Sequence, residues 1–172
     1  MIDHEDYDIC NELCHMNTSY IYGEVDNESL QIVFDKHFKE SMDLYSFIDI
    51  GSGCGRLCTF LQSRYNFFVY GVEVDRKRYE KSIKNDAFSN GLSEIFCDDF
   101  RNLYFGNYDI LYCCNTAFSD EDNESLFTKI VKEFRGICFL FDYNHILMPY
   151  YKEEFVIKTS WSKNTYLYMF QL

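Results

Sequence analysis

Apolar residues follow two rhythms along this chain. Short runs rich in β-branched and aromatic residues alternate with stretches in which apolar positions recur every three or four residues. The first rhythm predicts buried strands and the second one-sided helices. The runs are Tyr45-Ser46-Phe47-Ile48-Asp49-Ile50, Phe67-Phe68-Val69-Tyr70-Gly71-Val72-Glu73-Val74, Glu94-Ile95-Phe96-Cys97-Asp98-Asp99-Phe100, Tyr108-Asp109-Ile110-Leu111-Tyr112-Cys113-Cys114 and Gly136-Ile137-Cys138-Phe139-Leu140-Phe141. Leu30, Val33, Phe34 and Phe38 mark a helix capped by Asp26 or Asn27 and running to about Glu40. Leu57, Cys58, Phe60 and Leu61 mark a second, to about Arg64. A third carries Arg76, Lys77, Arg78, Lys81 and Lys84, and a fourth carries Leu126, Phe127, Ile130, Val131 and Phe134. Residues 155–161 and 165–170 flank the turn Ser162-Lys163-Asn164 as a hairpin. Five strands alternating with helices, then a hairpin, predict an α/β fold with a seven-stranded, mostly parallel sheet and an antiparallel C-terminal hairpin. The run at 136–141 is apolar throughout and is expected inside the sheet.

Ligands bind such sheets at the carboxyl ends of the strands, and Asp49, Glu73, Asp99 and Asn115 fall at such ends. The stretch from Phe47 to Arg56 carries most of the chemistry. An apolar run bears an acid near its end and passes into Gly51-Ser52-Gly53-Cys54-Gly55, which reads as a tight loop before a helix. Glycines there allow positive φ and close approach of a ligand, and the helix N-terminus behind them offers free N–H groups. The dinucleotide fingerprint requires G-x-G-x-x-G. Here the spacing is G-x-G-x-G, with Arg56 where the third glycine would stand. An acid two residues before the first glycine suits a cofactor with a cationic amine better than a pyrophosphate. A structural glycine turn or a site for another nucleotide has the same local pattern. Glu73, with Asp75 as near neighbour, can accept both hydroxyls of an adenosine ribose. Asp99, with Asp98 as alternate, can accept from an adenine amine while Phe100 covers the ring. Each acid is also explained as an ordinary strand-end carboxylate.

Length and charge narrow the class. A chain of 172 residues makes one domain and can bury a core. Residues 1–25 carry Asp3, Glu5, Asp6, Asp8, Glu12 and Glu24 and no Lys or Arg, an acidic arm or lid ahead of a single domain at 26–172. The net charge of −12 predicts weak or absent direct nucleic-acid binding, which needs cations to displace counterions. It permits a basic protein partner. The helix with Arg76 and Lys77 is the one basic surface. No stretch is long and apolar enough to span a membrane, and the acidic start is no signal peptide. The eight cysteines read as reduced thiols of a nuclear or cytoplasmic, intracellular protein. Cys10, Cys14 and His15 cluster, but no second ligand pair follows, so no metal is assigned.

The D-x-G-x-G-x-G form running from Asp49 to Gly55 looks like the first motif of class I methyltransferases that use S-adenosyl-L-methionine. Tyr22-Gly23-Glu24 upstream, Asp99-Phe100 after the third strand, Asn115-Thr116-Ala117-Phe118 after the fourth, and Ser160-Trp161 with Tyr166 and Leu167 in the hairpin narrow the resemblance. Together they resemble the disruptor-of-telomeric-silencing family of histone lysine methyltransferases, which lack a SET domain. That family has Y-G-E-T, D-L-G-S-G-x-G, G-V-E, G-D-F and N-N-F-A-F in the same order. The chain departs from it at Val25, which replaces the loop threonine, at Asp98, which replaces a glycine, and at Cys114-Asn115, which stands in for paired asparagines. The family's long helical N-terminal region and basic C-terminal tail have no counterpart here.

The resemblance implies a Rossmann-like class I methyltransferase fold, S-adenosyl-L-methionine as cofactor, and N-methylation of a protein lysine, with a core histone or nucleosome as the basic partner. It implies cofactor contacts from Glu24, Asp49, Gly51, Ser52, Gly53, Gly55, Glu73, Asp99 and Phe100. Asn115 would sit beside the reacting methyl, and Tyr22, Phe118, Trp161 and Tyr166 would line a lysine channel. Packing of a terminal hairpin accounts equally for the aromatics. Two other readings stay open. N-x-x-F after the fourth strand also resembles the N-P-P-Y/F motif of enzymes that methylate nucleic-acid amines, although the prolines are missing. A non-catalytic partner that retains the fold is the other.

Overall fold

The computed structural model describes residues 24–39, 44–84 and 93–172. Helix α1 (Asn27–Phe38) leads into strand β1 (Tyr45–Ile50), α2 (Arg56–Arg64), β2 (Phe67–Glu73), α3 (Arg76–Ser82), β3 (Ser93–Cys97), β4 (Ile110–Cys113), α4 (Asp120–Glu133), β5 (Ile137–Leu140), β6 (Tyr151–Ile157) and β7 (Thr165–Gln171). The seven strands form one sheet in the order β3-β2-β1-β4-β5-β7-β6. β1 to β5 run parallel, β7 pairs antiparallel with β5, and β6 pairs antiparallel with β7. The expected α/β sheet with its C-terminal hairpin is therefore present, and β5 lies inside it.

Alternation along the strands divides the core into two layers. On one face Leu30, Val33, Phe34 and Phe38 of α1 and Leu61 of α2 pack with Phe47, Val69, Tyr112 and Phe139. On the other, Leu126, Phe127 and Ile130 of α4 and its C-cap Phe134 pack with Ile48, Ile50, Leu111 and Leu140. Asp49 shares the face of Phe47, two residues before it, and so lies on the α1 side. Both long helices start at capping side chains. The Asp26 carboxylate accepts from the Ser29 N–H at 2.9 Å, and the Ser119 hydroxyl accepts from the Asp122 N–H at 3.1 Å. Acids at Asp120, Glu121 and Asp122 suit the positive end of the α4 dipole. Among the described residues no helix is long and apolar enough to cross a membrane.

Several boundaries differ from expectation: β4 begins at Ile110 rather than Tyr108, α3 ends at Ser82 before Lys84, and two further differences bear on the site. The first hairpin strand begins at Tyr151 rather than Phe155 and ends at Ile157, so Trp161 sits in the connection. A register shift between Tyr151 and Glu153 interrupts the alternation that would have revealed the earlier start. Strand β3 stops at Cys97 because Asp99 caps a short 3-10 turn, accepting from the Arg101 N–H. Residues 1–23 of the acidic arm lie outside the described residues. Its end is stitched to the hairpin: Val25 bridges Thr159, the Ser160 N–H donates to the Glu24 carbonyl at 2.8 Å, and the Asp26 N–H donates to the Lys158 carbonyl at 3.0 Å.

Gly71 on β2 lets the β1–α2 loop fold back onto the sheet. A Cβ there would lie 2.7 Å from Ser52 Oγ and 3.2 Å from Cys58 Sγ. We expect Gly71→Ala to cost about 1–3 kcal/mol through overpacking, measured as a fall in urea midpoint. Unchanged stability would mean that the loop is not seated against β2.

Candidate functional site

Three glycines shape the loop after β1. Gly51, Gly53 and Gly55 have φ of +78°, +56° and +75°, values that residues with a Cβ rarely adopt. The turn brings the Gly51 and Ser52 N–H groups onto the Val72 carbonyl at 2.8 and 3.0 Å. Glu73 completes the clamp. Its Oε2 accepts from the Gly53 N–H and its Oε1 from the Asp75 N–H, both at 2.8 Å. Burial pushes the Glu73 carboxyl upward, and the Asp75 N–H, the Arg78 guanidinium and the Gly53 N–H pull it back. Helix α2 then begins at Arg56 with no side-chain cap at Gly55.

Beside this loop lies a cavity of about 530 Å³, with Asp49, Gly51, Ser52, Tyr112 and Cys114 among its lining residues. Residues 24–28 and Lys158, Thr159, Ser160 and Lys163 also border it. Asp49 is 4% exposed, and its hydrogen bond comes from the Cys58 thiol at 3.8 Å. Among the described residues no salt bridge reaches it. Burial and the negative charge of Glu73 push its carboxyl to about 7. The Ser52 hydroxyl is buried without a hydrogen-bond partner. A buried carboxylate with so little compensation, bordering a cavity, suits a cationic amine. At the rim, Arg56 from the start of α2 forms an ion pair with Glu24.

The remaining expected residues are distributed around this centre. Phe118 lies against Gly51, its ring 3.8 Å from where a Cβ would project, and stacks on Phe100 at 6.0 Å between centroids. Asp99 stands at its strand end, but both its oxygens are engaged by Arg101, at 2.9 Å from the N–H and 2.7 Å from Nη1. Arg101 also pairs with Asp122 and lies over the Phe100 ring. Trp161 is 45% exposed, 6.3 Å from Phe141. Tyr166 is 49% exposed and stacks on Tyr168 at 6.2 Å. Phe141 belongs to the α1-side layer, whereas Tyr168 packs on the α4 side, so these contacts do not gather Trp161 and Tyr166 into one channel. Tyr22 lies outside the described residues.

Asn115 departs most from expectation. It is fully buried, and its amide is turned inward. Its Oδ1 accepts from the Phe141 and Asp142 N–H groups at 3.0 and 3.1 Å, while its Nδ2 donates to Asn123 Oδ1 at 2.7 Å and the Asp142 carbonyl at 3.1 Å. In this arrangement the amide ties the ends of β4 and β5 together and does not face a reacting methyl. The sequence reading missed the Arg56–Glu24 pair, the Arg101 bridge, and Tyr112 and Cys114 in the cavity. Tyr112 was recoverable, because it lies directly opposite Asp49 across the β1–β4 pairing.

No protein-family model and no curated protein matches the sequence. Solved structures do match by fold. An RNA methyltransferase from Salinibacter ruber, in complex with S-adenosyl-L-homocysteine, superposes with a TM-score of 0.60 at 13% identity, covering 99% of this chain and 92% of its own. A protein of Methanococcus maripaludis, described as a candidate S-adenosyl-L-methionine-dependent methyltransferase, has a TM-score of 0.57 at 20% identity, covering 78% of this chain and 61% of its own. Phosphoethanolamine N-methyltransferase 2 of Haemonchus contortus has a TM-score of 0.54 at 19% identity, covering 66% of this chain and 27% of its own. The chain thus spans less than two thirds of the length of the Methanococcus and Haemonchus proteins. The fold is the Rossmann-like α/β fold of class I S-adenosyl-L-methionine-dependent methyltransferases.

Two predictions separate function from scaffold. Between pH 3.8, the ordinary aspartate value, and about 7, folded Asp49 holds a proton that the unfolded chain has lost. Stability attributable to this group therefore falls as pH rises through that window and stays low above it. Asp49→Asn should stabilise the unliganded protein at pH 8 by on the order of 3 kcal/mol, with little change at pH 4, measured by urea unfolding at both values. Equal effects at the two pH values would refute the buried-charge account. Asn115→Ala strands the Phe141 and Asp142 N–H groups and should cost about 2–4 kcal/mol. A stable but inactive variant would return Asn115 to the chemistry.

Proposed function

We propose that this chain is an S-adenosyl-L-methionine-dependent methyltransferase whose acceptor is a lysine amine of a basic protein, with a core histone as the first candidate. The observation that carries the cofactor assignment is Asp49: a buried, poorly compensated carboxylate bordering a cavity beside three positive-φ glycines. The residues present fit this cofactor. Asp49 suits its cationic α-amino group, the Ser52 hydroxyl lacks a partner, and each Glu73 oxygen keeps a lone pair beyond its backbone N–H for a ribose hydroxyl. Phe100 and Phe118 offer apolar surface on the far side of the loop. S-adenosyl-L-methionine supplies an electrophilic methyl group on a positively charged sulfur.

The work left to the protein is positioning and desolvation. A lysine attacks only as the neutral amine, and an apolar setting lowers its pKa. With the cofactor held by Asp49, Ser52 and Glu73, its methyl would pass to that amine, the sulfur keeping the electron pair of the broken C–S bond. Exposed Trp161, in the hairpin connection next to the cavity-lining Ser160, can hold an alkyl stem or ammonium by cation–π attraction. The net charge of −12 favours a cationic acceptor over a polyanion. The RNA methyltransferase among the fold neighbours supports the second reading, a nucleic-acid acceptor.

The test incubates the protein with methyl-labelled S-adenosyl-L-methionine and, separately, core histones, nucleosomes, RNA and DNA, and locates the label by mass spectrometry. Asp49→Asn is the control, because it should fold and fail to bind the cofactor. We expect label on a lysine side chain that disappears in the control. Label on nucleic acid would overturn the protein-acceptor reading and leave methyl transfer standing. Failure of the parent protein to bind S-adenosyl-L-methionine in calorimetry would overturn the cofactor reading.

A further inference from the structure

The α4 side of the C-terminal hairpin carries an aromatic face that the cavity does not use. Tyr143 packs edge-on against Tyr168 at 4.7 Å and lies 6.4 Å from Tyr151, while Tyr168 stacks on Tyr166 at 6.2 Å. Cross-strand register places Glu154 opposite Tyr168 and Val156 opposite Tyr166. These residues stand on one face of the edge of the sheet, and it is open: Val156 is 60% exposed, Tyr166 49% and Tyr151 37%. Glu154 and Asp142 are exposed as well. Burial and then the charges of Tyr143, Glu154, Asp142 and Tyr166 push the Tyr168 phenol upward, which places both acids near the ring cluster.

Exposed aromatic faces beside carboxylates attract cations, because the ring quadrupole and the acid act on the same charge. The hairpin's other acid, Glu153, points to the opposite face, where it pairs with Lys36 and His37 of α1. Of the hairpin's lysines, Lys158 and Lys163 line the cavity, and Lys152 sits at the register shift. The patch also adjoins β6, the last strand of the sheet among the described residues, where an extended segment can add main-chain hydrogen bonds. Stacked bases could use the same rings, but phosphates would meet Glu154, Asp142 and a net charge of −12.

We propose that this tyrosine and carboxylate face docks an extended lysine- or arginine-rich segment of a protein partner, outside the cavity. Identifying that segment with the flank of the methyl acceptor rests on the function proposed above. The docking itself does not.

The test uses the full chain and a fluorescent twelve-residue lysine-rich peptide, with a glutamate-rich peptide and a single-stranded RNA of equal length as comparisons. Tyr151→Ala and Glu154→Lys alter the face and leave the cavity untouched, with thermal melting as the folding check. The lysine-rich peptide should bind in preference to both comparisons. Each variant should weaken it roughly three- to five-fold, and S-adenosyl-L-methionine affinity, measured by calorimetry, should not change. For a methylated protein acceptor, KM should rise with kcat unchanged. No binding of the lysine-rich peptide, equal binding by parent and both variants, or tighter binding of RNA would each overturn the proposal. Peptide binding that responds to the variants in a protein unable to bind the cofactor would sustain the docking site and reject the methyltransferase reading.

Discussion

Everything at the carboxyl edge of the sheet depends on the return of the β1–α2 loop onto β2. The Val72 carbonyl receives two loop N–H groups, and Glu73 holds a third. Three left-handed glycines make the path possible, and Gly71 leaves the space that Ser52 occupies. Two of the stabilising partners belong to the strand end itself, so the loop cannot shift without unpairing buried polar groups. That rigidity lets Asp49 keep a carboxyl group in a place where its charge is unfavourable. A flexible loop would swing aside and admit water to it. The site resembles other functional sites in holding local destabilisation that the surrounding fold must offset.

The opposite wall is built by a different device. Asn115 uses one amide to satisfy two backbone N–H groups and one carbonyl where β4 and β5 end, and Asn123 of α4 completes it. Strand ends splay at the place where the chain leaves the sheet, and a buried asparagine there replaces the missing ladder bonds. The two walls therefore differ in kind. The β1–β2 side brings the Asp49 carboxyl and the Ser52 hydroxyl to the cavity, whereas the β4–β5 side directs the Asn115 amide inward and offers Tyr112 and Cys114 to the cavity.

Much of this was legible in the sequence. The strands β1, β2, β4 and β5 are nearly continuous apolar runs because both faces of each are covered, and this makes them readable without any partner. Asp49 and the glycines were legible because positive φ and a strand-end acid leave a local signature. Asn115 was legible as a strand-end residue, but its inward hydrogen bonds were not. A side chain after a strand can turn toward the crevice or back into the sheet, and only the positions of Phe141 and Asp142, 26 and 27 residues away, decide which. The start of β6 was hidden by a register shift. The pairing of Arg56 with Glu24 spans 32 residues and leaves no periodic trace, as does the bridge from Arg101 to Asp122.

The ion pair of Arg56 with Glu24 shows how the parts of the cavity rim are joined. Arg56 begins the helix that follows the glycine loop, and Glu24 is tied through its main chain to Ser160 of the hairpin connection. The chain just before α1, the helix behind the glycines and the hairpin connection thus meet at one corner of the cavity. A surface ion pair contributes little to stability by itself. Its position matters more, because the main-chain bonds from Glu24 to Ser160 and from Asp26 to Lys158, with the bridge of Val25 to Thr159, join the rim to the hairpin connection. Displacement of the hairpin would therefore reach Arg56, at the first turn of α2. The hairpin and the glycine loop are thus joined through only a few residues at the rim of the cavity.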